Sequence, residues 1–281
     1  MDSWILAAAL ASAALHASWH AVVKSSAQPS HAMTAQMVGS AAICVPALFW
    51  SGLPALAAWP WMIGSTLLSM GAVASLLRGY ANGGFGVVYP MTRASSVLLV
   101  LPLAAAVAGE WPTPAGLAGV ALVSGAVMML AFRKGKDDTA GVSRKALGWI
   151  LSAAVFTACY VVCDAQGVRR AQSPFAYGFT NSVANGALWA WLQYRRGMNL
   201  RAVAGAEWPR AMLTVVAAMA SYLLILWVFT HAPIALGSAL RDTSAIFATL
   251  IAITILKEPF DRTVIFAVAL ATAGSVLIRL G

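Results

Sequence analysis

The sequence is built twice, and each copy reads as five long apolar segments. Trp4, Ile5 and Leu6 return as Trp149, Ile150 and Leu151, and Pro29 returns at the same offset as Pro174. Farther on, Arg93, Ser96 and Glu110 recur in register as Arg241, Ser244 and Glu258. An odd number of membrane crossings per copy forces the second copy to enter the bilayer inverted relative to the first. Inverted repeats of this kind are an architecture of secondary transporters, with the substrate held near the midplane between the halves.

A bilayer core of roughly 30 Å takes about 20 apolar residues per helix. Runs of that length fall near 4–23, 32–51, 61–82, 86–108 and 114–132, then near 146–168, 175–194, 209–230, 233–256 and 262–280. The pattern predicts an all-α integral membrane protein, ten transmembrane helices forming two inverted five-helix repeats around a central cavity. The first repeat occupies 1–132, a polar linker 133–145 and the second repeat 146–281. Breaker residues such as Ser51-Gly52-Leu53-Pro54, Asn82-Gly83-Gly84 and Glu110-Trp111-Pro112 mark tight connections. Sixty per cent of the residues are apolar and ten per cent charged, against roughly 25% charged in a soluble domain, so lipid is the main solvent. The first run has only Asp2 before Trp4 as a charge and lacks a basic leader, so it is expected to be retained as a span.

The net charge of +9 does not indicate nucleic acid, because the cations sit in short clusters between apolar runs. Connections after odd-numbered segments hold Lys24, Arg133, Lys134, Lys136, Arg144, Lys145, Arg195, Arg196, Arg201, Arg210, Lys257 and Arg262. The opposite side holds Arg169, Arg170 and Arg279. The positive-inside rule then puts both termini outside. Cys44, Cys159 and Cys163 lie within apolar runs without metal or redox spacing and read as small buried residues.

Polar side chains that persist inside such helices face a cavity or a partner. His16, Trp19 and His20 share one face of the first helix, and Tyr160, Cys163 and Asp164 repeat that spacing in its counterpart, the sixth. Two equivalent helices turning polar-aromatic stripes inward suit a site between the halves; the plain alternative is a structural pair such as His20 with Asp164. His16 and His20 lack a third ligand for a metal. The third and fourth helices add Arg78, Tyr80, Tyr89 and Arg93, and the eighth and ninth add Trp227, His231, Arg241 and Asp242. Arg93 and Arg241 lie deep in their helices, either as anchors for a substrate carboxylate or gate latches, or as cations snorkelling to an interface. Asp242 is not an obvious partner for Arg241, since adjacent residues diverge around a helix. Pro90 beside Tyr89 is a hinge candidate, and Pro233 punctuates the ninth helix. Pro112 and Pro259 after Glu110 and Glu258 read as simple helix ends. Gly116, Gly119, Gly125, Gly274 and Ser275 mark the fifth and tenth helices as close-packed scaffold.

Three stretches resemble the EamA-type family of the drug/metabolite transporter superfamily: 15–24 around Leu15-His16-Ala17-Ser18-Trp19-His20; Tyr89-Pro90 through Arg93, Ser95 and Ser96 to Gly109-Glu110; and Ala239-Leu240-Arg241-Asp242-Thr243-Ser244 to Lys257-Glu258-Pro259. The resemblance covers essentially the whole chain. It implies a ten-helix basket in which the third, fourth, eighth and ninth helices join the first and sixth around a cavity, with alternating access and transport of small metabolites, often amino-acid export. It also implies cytoplasmic termini, opposite to the charge bias. His20 stands where relatives of one bacterial subgroup often have Asn.

The expectation is a secondary transporter, not an enzyme, moving a small polar or zwitterionic, amino-acid-like metabolite across a bacterial inner membrane. Substrate-binding candidates are His16, Trp19, His20, Tyr80, Tyr89, Arg93, Tyr160, Asp164, Trp227 and Arg241. Arg241 or Arg93 would meet a carboxylate, Asp164 an amine, and Trp19, Tyr80, Tyr160 and Trp227 would supply apolar walls. The alternative is a quaternary amine or hydrophobic cation held by the same aromatics, with Asp164 as counter-charge. Proton coupling through Asp164, His16 or His20 and simple facilitation both remain open. No cofactor, metal or nucleic-acid partner is indicated; membrane lipid surrounds a monomer or weak dimer, because the duplication already supplies both halves.

Overall fold

The computed structural model describes residues 2–82, 85–131, 143–254 and 262–280. Most of the linker expected at 133–145, the Gly83-Gly84 turn, and Lys257, Glu258 and Pro259 lie outside the described residues. Among the described residues all regular structure is helical: α1 (Ser3–Lys24), α2 (Pro29–Ser51), a 3-10 turn (Leu56–Ala58), α3 (Trp59–Asn82), α4 (Phe85–Ala108), α5 (Pro114–Ala131), α6 (Arg144–Arg170), α7 (Pro174–Arg195), α8 (Leu200–His231), α9 (Ile234–Asp242), α10 (Ser244–Thr254) and α11 (Arg262–Leu280). Helix is what lipid demands, since every backbone polar group must then be satisfied within its own segment.

Helix starts follow local chemistry. Pro29 and Pro174 open α2 and α7, where a missing N–H costs nothing. Ser143, Ser173 and Asn199 cap α6, α7 and α8 by accepting from Ala146, Ala176 and Ala202 N–H. Gly109 ends α4 with φ of 67°, its N–H bonded to the Ala105 carbonyl, and so turns Glu110 away from the helix axis.

Among the described residues six helices are long and apolar enough to cross a membrane: Ser3–Val23, Pro29–Ser51, Leu56–Asn82, Val88–Ala108, Arg144–Arg170 and Ala211–His231. Pro114–Met129 and Ile265–Leu280 are shorter apolar helices. Phe49, Leu67, Leu213, Val216 and Phe266 are exposed, a surface suited to lipid and unsuited to water.

Three expectations need correction. The segment expected as one ninth helix over 233–256 is broken at Thr243 into α9 and α10. No Pro or Gly stands there; the Thr243 hydroxyl instead bonds the Leu240 carbonyl at 2.6 Å and competes with the helical ladder. Pro233 does not interrupt that helix but precedes it as the N-cap of α9. The eighth helix begins at Leu200 rather than 209.

The packing pairs α3 with α6 and α1 with α8, α4 with α6 and α1 with both α9 and α10, α2 with α7, and α5 with α11. Small residues allow these approaches. A Cβ on Gly119 would sit 2.6 Å from the Gly274 carbonyl oxygen, so α5 and α11 touch backbone to backbone. Between α1 and α8, Ser12 and Ser221 each donate to the other's carbonyl, at 2.7 and 2.8 Å. Helix ends are tied together on two faces. Ser143 donates to the Asn82 carbonyl on one. On the other, Arg279 reaches Ser3 and Ala55 reaches Ala171.

Candidate functional site

Between α1, α2, α3, α4, α6, α7, α8 and the end of α9 lies a cavity of about 210 Å³. Of the ten residues expected to form a site, His16, Trp19, His20, Tyr89, Arg93, Tyr160, Asp164 and Arg241 line it. Tyr80 and Trp227 do not. Tyr80 packs with Tyr89, Ala94, Val127 and Ala245. Trp227 packs on His231, ring centres 4.4 Å apart, and on the main apolar core.

The α1 stripe makes a continuous run of rings. Trp19 stacks on His20 at 3.6 Å, His16 meets Trp19 edge-on at 5.2 Å, and His20 lies 5.2 Å from Tyr89. The structural pairing considered above, His20 with Asp164, is not among the contacts either residue makes.

Two guanidinium groups, one from each half, flank His16. Arg93 Nη2 stands 3.5 Å from His16 Nε2, and Arg241 Nη2 stands 3.4 Å from His16 Nδ1. A neutral imidazole has one acceptor nitrogen, so only one arginine at a time can use it. The rest of their chemistry differs. Arg93 is paired with Asp242 at 2.9 Å. Arg241 is 8% exposed, takes part in no ion pair among the described residues, and its Nε has no hydrogen-bond partner. The i, i+1 argument thus holds for Arg241 and Asp242, and the carboxylate serves the arginine of the opposite half. The helix break places Asp242 and Ser244 beside α4, where the Ser244 and Tyr89 hydroxyls are 3.2 Å apart.

Across the cavity the Asp164 carboxylate collects donors from three other helices. Its Oδ1 accepts from Ser65 at 2.5 Å, Tyr177 at 3.1 Å and Asn181 at 3.2 Å, and its Oδ2 from Tyr222 at 3.1 Å. Asn181 in turn accepts from Thr66 and donates to Tyr222. Four donors compensate a buried charge that would otherwise be costly. Next to this network Ser69 donates to Asn185 at 2.7 Å. The sequence reading singled out Asp164 but missed Ser65, Asn181, Asn185 and Tyr222. Their signal was present: Tyr177, Asn181 and Asn185 recur every four residues on α7, and Ser65, Thr66 and Ser69 cluster on α3.

On the face away from the Asn82 end, Glu110 is more than a helix terminator. It accepts from the Ile234 N–H at the start of α9, at 2.7 Å, and pairs with Arg169. Arg169 also donates to the Phe229 and Ala232 carbonyls, at 2.7 and 2.9 Å.

Comparison with known proteins bears on the whole. A model of the EamA-like transporter family matches residues 144–280. No curated protein matches the chain. A solved crystal structure, described only as that of a protein, matches with a TM-score of 0.77 and 17% identity over 99% of this chain and 96% of the other. At that identity the likeness establishes the fold alone.

Proposed function

We propose that the chain, whose residues 144–280 match the EamA-like transporter family, is a membrane transporter of the drug/metabolite type that moves a small zwitterionic, amino-acid-like metabolite by alternating access between two inverted five-helix halves. The observation that carries the substrate class is Arg241, a buried guanidinium lining the cavity and in no ion pair among the described residues. A cation so placed is a costly arrangement that a ligand carboxylate relieves, with planar two-point geometry that a lysine does not reproduce. The Asp164 cluster, rich in hydroxyl and amide groups, faces the same cavity and suits an ammonium group. The cavity volume of about 210 Å³ is below the roughly 300–1,000 Å³ of drug-sized sites and favours a small metabolite.

The halves support the alternating-access reading through their pairings. If α1 corresponds to α6, α3 to α8 and α4 to α9 with α10, then α3 on α6 and α4 on α6 exchange with α8 on α1 and α9–α10 on α1. Pairs α2 with α7 and α5 with α11 map onto themselves. A broken helix at the site is a recurrent device of such carriers, since freed backbone groups can face the substrate.

The quaternary-amine alternative is weaker here. Two guanidinium groups in the cavity repel a permanent cation, and the Trp19 face is occupied by His20. The test is counterflow in liposomes with neutral and aromatic amino acids, their decarboxylated amines, and choline. Exchange of amino acids but not of the amines is expected, and Arg241→Lys should lower it by about tenfold or more, the value of one hydrogen bond between charged groups. Exchange of choline or the amines, undiminished in Arg241→Lys, would overturn this substrate class.

A further inference from the structure

The Arg169 and Glu110 contacts form a three-way clasp. Arg169 comes from the end of α6, Glu110 from the turn after α4, and the backbone groups they hold come from the last turn of α8, the link after it and the first residue of α9. The clasp therefore ties the first half of the chain to the second.

Its place relative to the cavity is informative. On the Asn82 side the lining reaches Met33 and Tyr89, each four residues inside the start of its helix, α2 or α4. Toward the clasp, lining stops at Ser65 and Asp164, each six residues short of the helix ends at Trp59 and Arg170, or about 9 Å at 1.5 Å per residue. The cavity approaches one face, and the clasp occupies the other.

A rigid element joins the two. The short helix α9 starts at Ile234, whose N–H is held by Glu110, and carries Arg241 into the cavity. Glu110 sits at the positive N-terminal end of that helix, where a carboxylate is favoured. A shift of Arg241 along the axis must act on the Glu110 contact, because a nine-residue helix moves as a unit.

We propose that the Arg169–Glu110 clasp is the closed gate on the face opposite the cavity mouth, and that α9 transmits substrate engagement at Arg241 to it. The gate rests on the transporter reading above and gives that site its regulation. When a carboxylate draws Arg241, the α9 N-terminus pulls against Glu110; release of Glu110 frees Arg169 from the α8 carbonyls and opens that face. The two conformations then differ by charge-assisted hydrogen bonds present in only one, so removing them shifts the population.

The test uses the full chain in vesicles of known orientation, with Cys44→Ala, Cys159→Ala and Cys163→Ala and one reporter, Ala72→Cys, in the cavity lining. A membrane-impermeant maleimide is applied to either face. With the clasp intact, labelling should come from the Asn82 face. Glu110→Gln keeps an oxygen for the Ile234 N–H but loses the charge on Arg169, and should raise labelling from the clasp face by about tenfold; Arg169→Gln should do the same. If Glu110→Gln fails to fold, Arg169→Lys gives a graded version, with a smaller rise expected. Unchanged labelling in folded variants, or free labelling of the intact clasp from its own face, overturns the gate. Counterflow on the same vesicles separates the two ideas. Exchange without a labelling shift removes the gate and leaves the transporter; a labelling shift without amino-acid exchange removes the substrate class and leaves the gate.

Discussion

The pair Arg93 and Asp242 offers a quantitative check on how dry the centre of this protein is. The two groups meet at 2.9 Å and are 6% and 2% exposed. Removing one partner of such a buried pair leaves an uncompensated charge, at about 3–5 kcal/mol, whereas removing both together is often near neutral. The two single changes should not be equal. Arg93→Gln leaves Asp242 with Arg241 as its chain neighbour, while Asp242→Asn leaves two guanidinium groups on either side of His16 with no carboxylate among the described residues in an ion pair to either. Asp242→Asn is therefore the costlier. At about 2 °C per kcal/mol for a chain of this size, the singles should lower the apparent Tm by about 6–10 °C. The double variant should return to within about 4 °C of the parent, a coupling readable from a double-mutant cycle. The assay is thermal unfolding of the detergent-solubilised protein, followed by size-exclusion chromatography. Singles that each cost under about 2 °C and simply add in the double would refute the reasoning, since they would mean that water reaches the pair and screens it.

Three other perturbations have expected outcomes. Gly167→Ala places a Cβ about 2.4 Å from the Tyr177 ring, so it should displace the Tyr177 hydroxyl from Asp164 and reduce transport several-fold while the purified protein stays monodisperse; unchanged transport would show that Tyr177 is dispensable to the site. Gly119→Ala must part α5 from α11 at the Gly274 backbone, and a loss of about 1–3 kcal/mol is expected in the same thermal assay. Asp164→Asn keeps the shape of the four-donor cluster but cannot take up or release a proton, so it should abolish any pH dependence of counterflow; retained pH dependence would exclude this carboxylate as the proton carrier.

Much of the architecture was legible because its causes are local. An apolar run of bilayer length must be helical to satisfy its own backbone, and Pro29, Pro174 and Gly109 mark ends through their own dihedral preferences. The break at Thr243 was not legible in that way, because a hydroxyl that takes a carbonyl from the ladder looks in sequence like any polar residue in a helix. Eight of the ten proposed site residues line the cavity because depth in an apolar run already restricts a polar side chain to the interior. Tyr80 and Trp227 are amphipathic rings, equally at home in packing, and lie off it.

Partners were another matter. The sequence by itself determined where the long helical segments run and which costly groups are carried inside: Arg93, Arg241, Asp164, Asp242 and His16. Only the tertiary structure decided that Arg93 takes the carboxylate at 242 while Arg241 is left facing the cavity, that Asp164 is held by α3, α7 and α8, and that Glu110 joins Arg169 across the two halves. The reason is separation along the chain. A helix closes its hydrogen bonds within four residues, but the pairing of Arg93 with Asp242 exists only once α4 and α9 are packed together.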